Sequence, residues 1–142
     1  MARDISEDRD AIRAHLKAAR TIAVVGLSPD PYRTSHAVSR YMQESGYRII
    51  PVNPVAQGQA ILGEACYDGL ASIPSDIQLD LINVFRRPEY IRSVAEQALG
   101  RPAPVFWMQT GISNAFAAEQ LTLAGIDVVQ DRCIKIEHAS LL

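Results

Sequence analysis

The stretch Thr21-Ile22-Ala23-Val24-Val25-Gly26-Leu27-Ser28-Pro29-Asp30 constrains the fold more than any other part of this chain. A run of apolar and β-branched residues leads without alternation into a glycine, a polar loop and an amphipathic segment that opens near Ser35. An unbroken run of this kind reads as a strand buried on both faces, the pattern of a parallel sheet. Glycine at the end of such a strand lets the backbone approach a ligand closely. The helix that follows offers free N–H groups and the positive end of its dipole, so the turn favours an anion.

The same pattern repeats along the chain. Apolar runs predict strands over 22–25, 47–52, 79–85, 104–108 and 126–129, with a short edge strand at Cys66-Tyr67. Three- and four-residue apolar spacing predicts helices over 6–18 and 35–45, with Ser6 capping the first and Gly46 ending the second. A third helix starts at Pro88, which suits a first helical position, and runs to about Leu99. A fourth is capped by Ser113 or Asn114 and closed by Gly125, and a short final element covers 134–142. Asp68 to Ile73 holds at most a helical turn before the break at Pro74-Ser75-Asp76. Strand and helix alternate from Thr21 onward, which implies right-handed crossovers. The expected fold is α/β: a single Rossmann-like, doubly wound, mostly parallel sheet with helices on both faces. Its extent is 1–142, an N-terminal helix over 1–19 and a core over 20–142. Ligands of such sheets lie outside the carboxyl ends of the strands, where strand order reverses. The loops of interest are therefore 26–34, 53–58, 86–87 and 109–111.

Composition removes several function classes. The formal net charge is -2 over 142 residues, so no global field attracts nucleic acid or an anionic membrane. No apolar run approaches the roughly 20 residues needed to span a bilayer. The polar first twenty residues lack a signal-peptide core, and a cytoplasmic location is expected. Cys66 and Cys133 form no CxxC pair, and His15, His36 and His138 show no metal-ligand spacing. No metal site is expected. Cys66 reads as a small buried residue, and His15 as a solvated one.

Positive charge gathers at the expected ligand edge. Arg33 follows the first strand, Arg86 and Arg87 follow the strand ending at Phe85, and Arg132 follows the last. Four guanidinium groups at one edge of a net-acidic protein point to a ligand with several phosphate oxygens. Dinucleotide binding is disfavoured: Gly26-Leu27-Ser28-Pro29-Asp30 lacks the second and third glycines of G-x-G-x-x-G. The second strand ends in Pro51-Val52-Asn53-Pro54, without an acid for a ribose diol. A P-loop is absent as well. His36, in the first turn of the helix facing the phosphate loop, is placed to touch a ligand or to sit near the dipole at the surface. Cys133 and His138 are five residues apart, a spacing that directs them away from each other on a helix.

Several blocks occurring together in order resemble the stand-alone CoA-binding domain family. They are Thr21-Ile22-Ala23-Val24-Val25-Gly26, Asp30-Pro31 with Arg33, and Gly46-Tyr47-Arg48-Ile49-Ile50-Pro51-Val52-Asn53-Pro54. Asn83-Val84-Phe85-Arg86 with Pro88, the run Val105 to Ile112, and Asp131-Arg132-Cys133 followed by Glu137-His138 complete the set. The fold is similar to the N-terminal nucleotide-binding domain of the succinyl-CoA synthetase α subunit. The resemblance implies that coenzyme A lies across the carboxyl edge of the sheet. Gly26, Leu27 and Ser28 would line the phosphate turn through backbone groups, and Arg33 would reach a phosphate. Pro51, Val52 and Asn53 would border the adenosine end. Val84, Phe85 and Arg86 would contact the adenine and pantetheine side, with Thr110 and Gly111 toward the thiol arm. The related synthetases carry further domains, and the chain ends at Leu142, so ligase activity is not expected of it. The expectation is a non-catalytic carrier, sensor or partner of acyl-CoA metabolism that binds CoA or acyl-CoA, with a protein partner or a homo-oligomer as its setting. The rivals are a small acyl-CoA or CoA-thiol redox enzyme using Cys133, and an NAD(P)-binding regulatory domain.

Overall fold

The computed structural model describes residues 1–142 and contains seven strands and five α-helices. In order these are α1 (Arg9–Ala18), β1 (Thr21–Val25), α2 (Thr34–Glu44), β2 (Arg48–Val52), β3 (Ala60–Ile61) and β4 (Glu64–Ala65). They continue with β5 (Leu81–Val84), α3 (Ile91–Gly100), β6 (Val105–Met108), α4 (Ala115–Leu123), β7 (Asp127–Val129) and α5 (Ile134–Leu141). Five strands make one parallel sheet in the order β2-β1-β5-β6-β7. The α/β, Rossmann-like expectation holds. Strand order reverses between β1 and β5, and Val25 stands in register with both Val52 and Val84. The carboxyl ends of the three strands flanking the reversal therefore finish level, with their exit loops side by side.

Buried residues on the central strands alternate between two cores. Ile22, Val24, Leu81, Val105 and Trp107 face Ile12, Leu16, Val38, Met42 and Ile134 of α1, α2 and α5. Ala23, Val25, Ile82, Val84, Phe106 and Met108 face Val94, Ala98 and Leu121 of α3 and α4. Each buried valine, leucine, isoleucine, phenylalanine or methionine among them contributes about 1.5–3 kcal/mol over exposure, which explains the unbroken apolar runs. Trp107 is wholly buried, and its indole N–H donates to the Arg132 carbonyl at 2.8 Å. It is a core residue.

Three local expectations change. The cap of α1 is Asp8, which accepts from the Ala11 amide at 3.0 Å. Ser6 instead accepts from the Gln130 amide at 2.7 Å and ties the N-terminal segment to the end of β7. His15 is half-buried, with Nε2 2.8 Å from an Asp127 carboxylate oxygen, because α1 packs close to β7. The hairpin β3–β4 has no sequence counterpart: its turn holds Leu62 and Gly63 at φ 53° and 83°. Positive φ at both central positions normally signals itself through Asn or Asp before Gly, and leucine conceals it. Tyr67 pairs with β2, donating to the Pro51 carbonyl at 3.0 Å and accepting from the Asn53 amide at 2.8 Å.

Candidate functional site

The turn after β1 is braced from within. Gly26 takes φ +88°, and an added Cβ would collide with the Phe85 carbonyl at the end of β5. This glycine is required by contact between neighbouring strand ends of the chain itself. The Ser28 amide donates to the Ser35 hydroxyl at 3.0 Å, and the Asp30 amide donates to the Ser28 hydroxyl at 3.1 Å. The Asp30 carboxylate accepts from the Tyr32 amide at 2.9 Å. Asn53 joins the two loops: its side-chain amide donates to the Leu27 carbonyl at 3.0 Å while its oxygen caps the turn at Val55.

The bracing leaves certain donors free. The amides of Thr34 and Ser35, which open α2, have no acceptor in the chain, and neither does the amide of Leu27. No side chain caps this helix, and its first turn carries no acid. Unpaired N–H groups at a helix N-terminus constitute an anion site. Gly26, Ser28, Arg33, Thr34, Ser35 and Phe85 line a cleft of about 370 Å³ at the start of α2. Arg33 is largely exposed and meets only Asp30, at 4.0 Å, which neutralises little of its charge.

A second cleft of about 400 Å³ continues from the first, sharing Thr34 and Phe85, and is bounded by Arg86, Arg87, Gln109, Thr110 and Cys133. Arg86 and Arg87 form no ion pair within the chain. Behind this cleft, buried Gln109 donates to Asn83 at 2.5 Å and its oxygen lies 3.4 Å from the Ile134 amide at the start of α5. Together the clefts form a groove that crosses the switch point and carries three unpaired or weakly paired guanidinium groups.

The residues expected at the site divide by depth. Gly26, Ser28, Arg33, Phe85, Arg86 and Thr110 line the groove. The side chains of Leu27, Val52 and Val84 are buried in the two cores, and Pro51 is buried within β2. Gly111 turns its amide toward the Asp131 carboxylate at 2.6 Å. His36 is buried, and its Nδ1 lies 2.9 Å from the Ser28 carbonyl, so that ring nitrogen engages the loop from behind. Arg132 leaves the expected cluster. Its Nε donates to the Ser6 carbonyl at 3.0 Å and its terminal nitrogen lies 3.2 Å from Glu7. Thr34 and Gln109, which lie at the ends of two expected loops without being named singly, also line the groove, and Tyr90, outside those loops, stacks with Arg86. Arg86 lies in the loop before the turn Pro88–Tyr90, so no helical spacing marks its contact with Tyr90 in the sequence.

Neither thiol hydrogen-bonds to a histidine; Cys66 Sγ faces the Asn53 and Tyr67 carbonyls. Burial pushes the Cys66 thiol above its ordinary pKa, which favours the unreactive protonated form. Cys133 precedes α5 and is partly exposed. His138 instead has Nδ1 3.0 Å from the Tyr41 hydroxyl, edge-on to the Tyr41 and Tyr47 rings, and burial lowers its pKa.

Residues 20–139 match a family model described as "CoA binding domain". A Bacillus subtilis protein, the uncharacterized protein YneT, is 47% identical over 128 residues, covering 90% of this chain and 92% of that one. A Thermus thermophilus structure, cell-free ID.343, is 38% identical with TM-score 0.89, covering 95% of this chain and 99% of that one. A hypothetical protein from Pyrococcus horikoshii OT3 is 33% identical with TM-score 0.88, covering 99% and 97% of the two chains. No helix is long and apolar enough to cross a membrane.

Proposed function

The chain belongs to the CoA binding domain family, and from that premise we propose that it binds coenzyme A or an acyl-CoA across the carboxyl edge of the sheet. One observation carries the reading: the acceptor-free amides of Thr34 and Ser35 share a groove with Arg33, Arg86 and Arg87. The diphosphate sits against the Gly26 turn and the start of α2, where backbone donors and dipole favour it. Arg33, at the rim of the same cleft, takes the ribose 3′-phosphate. The pantetheine arm follows Phe85 and Thr110 toward Cys133. Asn53 supports CoA over a nicotinamide dinucleotide. It stands where a ribose-binding acid would stand, and both ends of its amide are engaged with the Leu27 carbonyl and Val55 amide. The role that fits is a non-catalytic cytoplasmic carrier or sensor that hands CoA or its thioester to a protein partner.

Calorimetric titration with CoA, acetyl-CoA, dephospho-CoA, NAD and NADP tests this. Micromolar binding of CoA and its thioester, with none of NAD, is the expected result. Arg33→Gln should weaken CoA about tenfold, equivalent to about 1.4 kcal/mol, and leave dephospho-CoA nearly unchanged. Equal losses for both ligands would move Arg33 to the diphosphate. Binding of NAD without CoA would overturn the reading.

A second reading rests on Cys133, which borders the same groove as Arg86 and Thr110. A thiol at that position would meet the CoA thiol arm, as in a small redox enzyme. A Cys133 alkylation rate unaffected by CoA would refute it.

A further inference from the structure

Arg86 is held in place without a carboxylate. Its side chain leaves the end of β5 and passes Gly26 so closely that an added Cβ would lie 3.2 Å from Arg86 Cδ. Its guanidinium carbon then rests 4.4 Å from the centre of the Tyr90 ring. No side chain or carbonyl of the chain accepts a hydrogen bond from it, and no acid pairs with it. Tyr90 ends the 3₁₀ turn Pro88–Tyr90 that feeds α3, and its amide donates to the Arg87 carbonyl at 2.9 Å. The ring therefore stands on a fixed piece of backbone, beside the point where strand order reverses.

A guanidinium can be fixed in two ways with opposite consequences. A carboxylate would occupy donors in the guanidinium plane and cancel its charge. An aromatic ring holds the face and leaves every in-plane N–H group available. From this geometry we propose that Tyr90 is a positioning residue. It orders Arg86 over the switch point, with charge and donors intact, so that Arg86 meets the diphosphate of the bound nucleotide. The inference rests on the coenzyme A reading and adds that Arg86, rather than Arg33, serves the diphosphate.

Four variants and two readouts test it: Tyr90→Phe, Tyr90→Leu, Arg86→Gln and the Arg86→Gln/Tyr90→Leu pair. Calorimetry with CoA should place Tyr90→Phe within about twofold of the parent and Tyr90→Leu about three- to fivefold weaker. In the Arg86→Gln background, Tyr90→Leu should cause no further loss, because its effect passes through the arginine. Equal Tyr90→Leu losses in both backgrounds would overturn the proposal, as would a Phe variant as weak as the Leu one. The second readout is the Arg86 Nε–H resonance of the ligand-free protein, which should shift and sharpen when Tyr90 is replaced by leucine. An unchanged resonance overturns the proposal and leaves the coenzyme A reading standing. Parent protein that binds no CoA overturns both.

Discussion

Gly26→Ala is the substitution whose cost the structure defines best. Gly26 sits at φ +88°, so an alanine there carries the left-handed backbone penalty of about 1 kcal/mol. The new methyl would also strike the Phe85 carbonyl and come within 3.2 Å of Arg86 Cδ. The arginine stem can swing aside, but the carbonyl cannot move alone. The Phe85 amide donates to Val25 at 2.8 Å, and the Gly26 amide donates to Val52 at 2.7 Å. Relief of the contact must therefore spread into β1 and its pairing with both neighbours, an overpacking cost of about 1–3 kcal/mol. The total, about 2–4 kcal/mol, is a large share of a stability of about 5–15 kcal/mol. At this chain length it should lower the thermal midpoint by roughly 10 °C. Gly125→Ala supplies the control, since Gly125 has the same φ of +88° with nothing within 4 Å of an added Cβ. Thermal and urea unfolding of both variants should show Gly26→Ala losing at least about 1 kcal/mol more than Gly125→Ala. Equal midpoints would refute the claim that strand-end contact, rather than backbone conformation alone, requires this glycine.

Arg132→Ala should destabilise by about 1 kcal/mol, through loss of the bond to the Ser6 carbonyl, and leave CoA affinity unchanged. A selective fall in CoA affinity on titration would return Arg132 to the ligand cluster. Burial lowers the His138 pKa below its ordinary value of about 6.5, so the unfolded chain binds the proton more readily. That contribution to stability is present above the ordinary value and is lost as pH falls toward the depressed folded value. Urea midpoints should therefore drop more steeply between about pH 7 and 5 for the parent than for His138→Asn, and parallel slopes would refute the assignment.

Much of the site was legible because its parts are local. A buried strand, a glycine and a helix start occur within about fifteen residues of sequence, and together they fix where unpaired amides must lie. The unbroken run at Thr21–Val25 and the paired arginines after Phe85 likewise carry their meaning in adjacent residues. The hairpin at Leu62-Gly63 escaped because its turn conformation is not the usual choice for leucine.

The sequence by itself determined the α/β class, the two-faced burial of the central strands and the loops that meet at the carboxyl edge. Periodicity and turn chemistry are short-range properties, and each stretch bears its own record of them. Tertiary structure alone decided which charges remain free there. Arg132 and Arg86 both follow strands, yet Arg132 meets Ser6 and Glu7 of the N-terminal segment, whereas Arg86 meets a tyrosine ring. His36, in the first turn of α2, faces inward onto Ser28, and Gly26 is obligatory because β5 ends beside it. Those outcomes depend on partners distant in the chain, which are brought together only when the sheet order is set. A side chain's charge is written in its identity; its availability depends on what the folded chain places beside it.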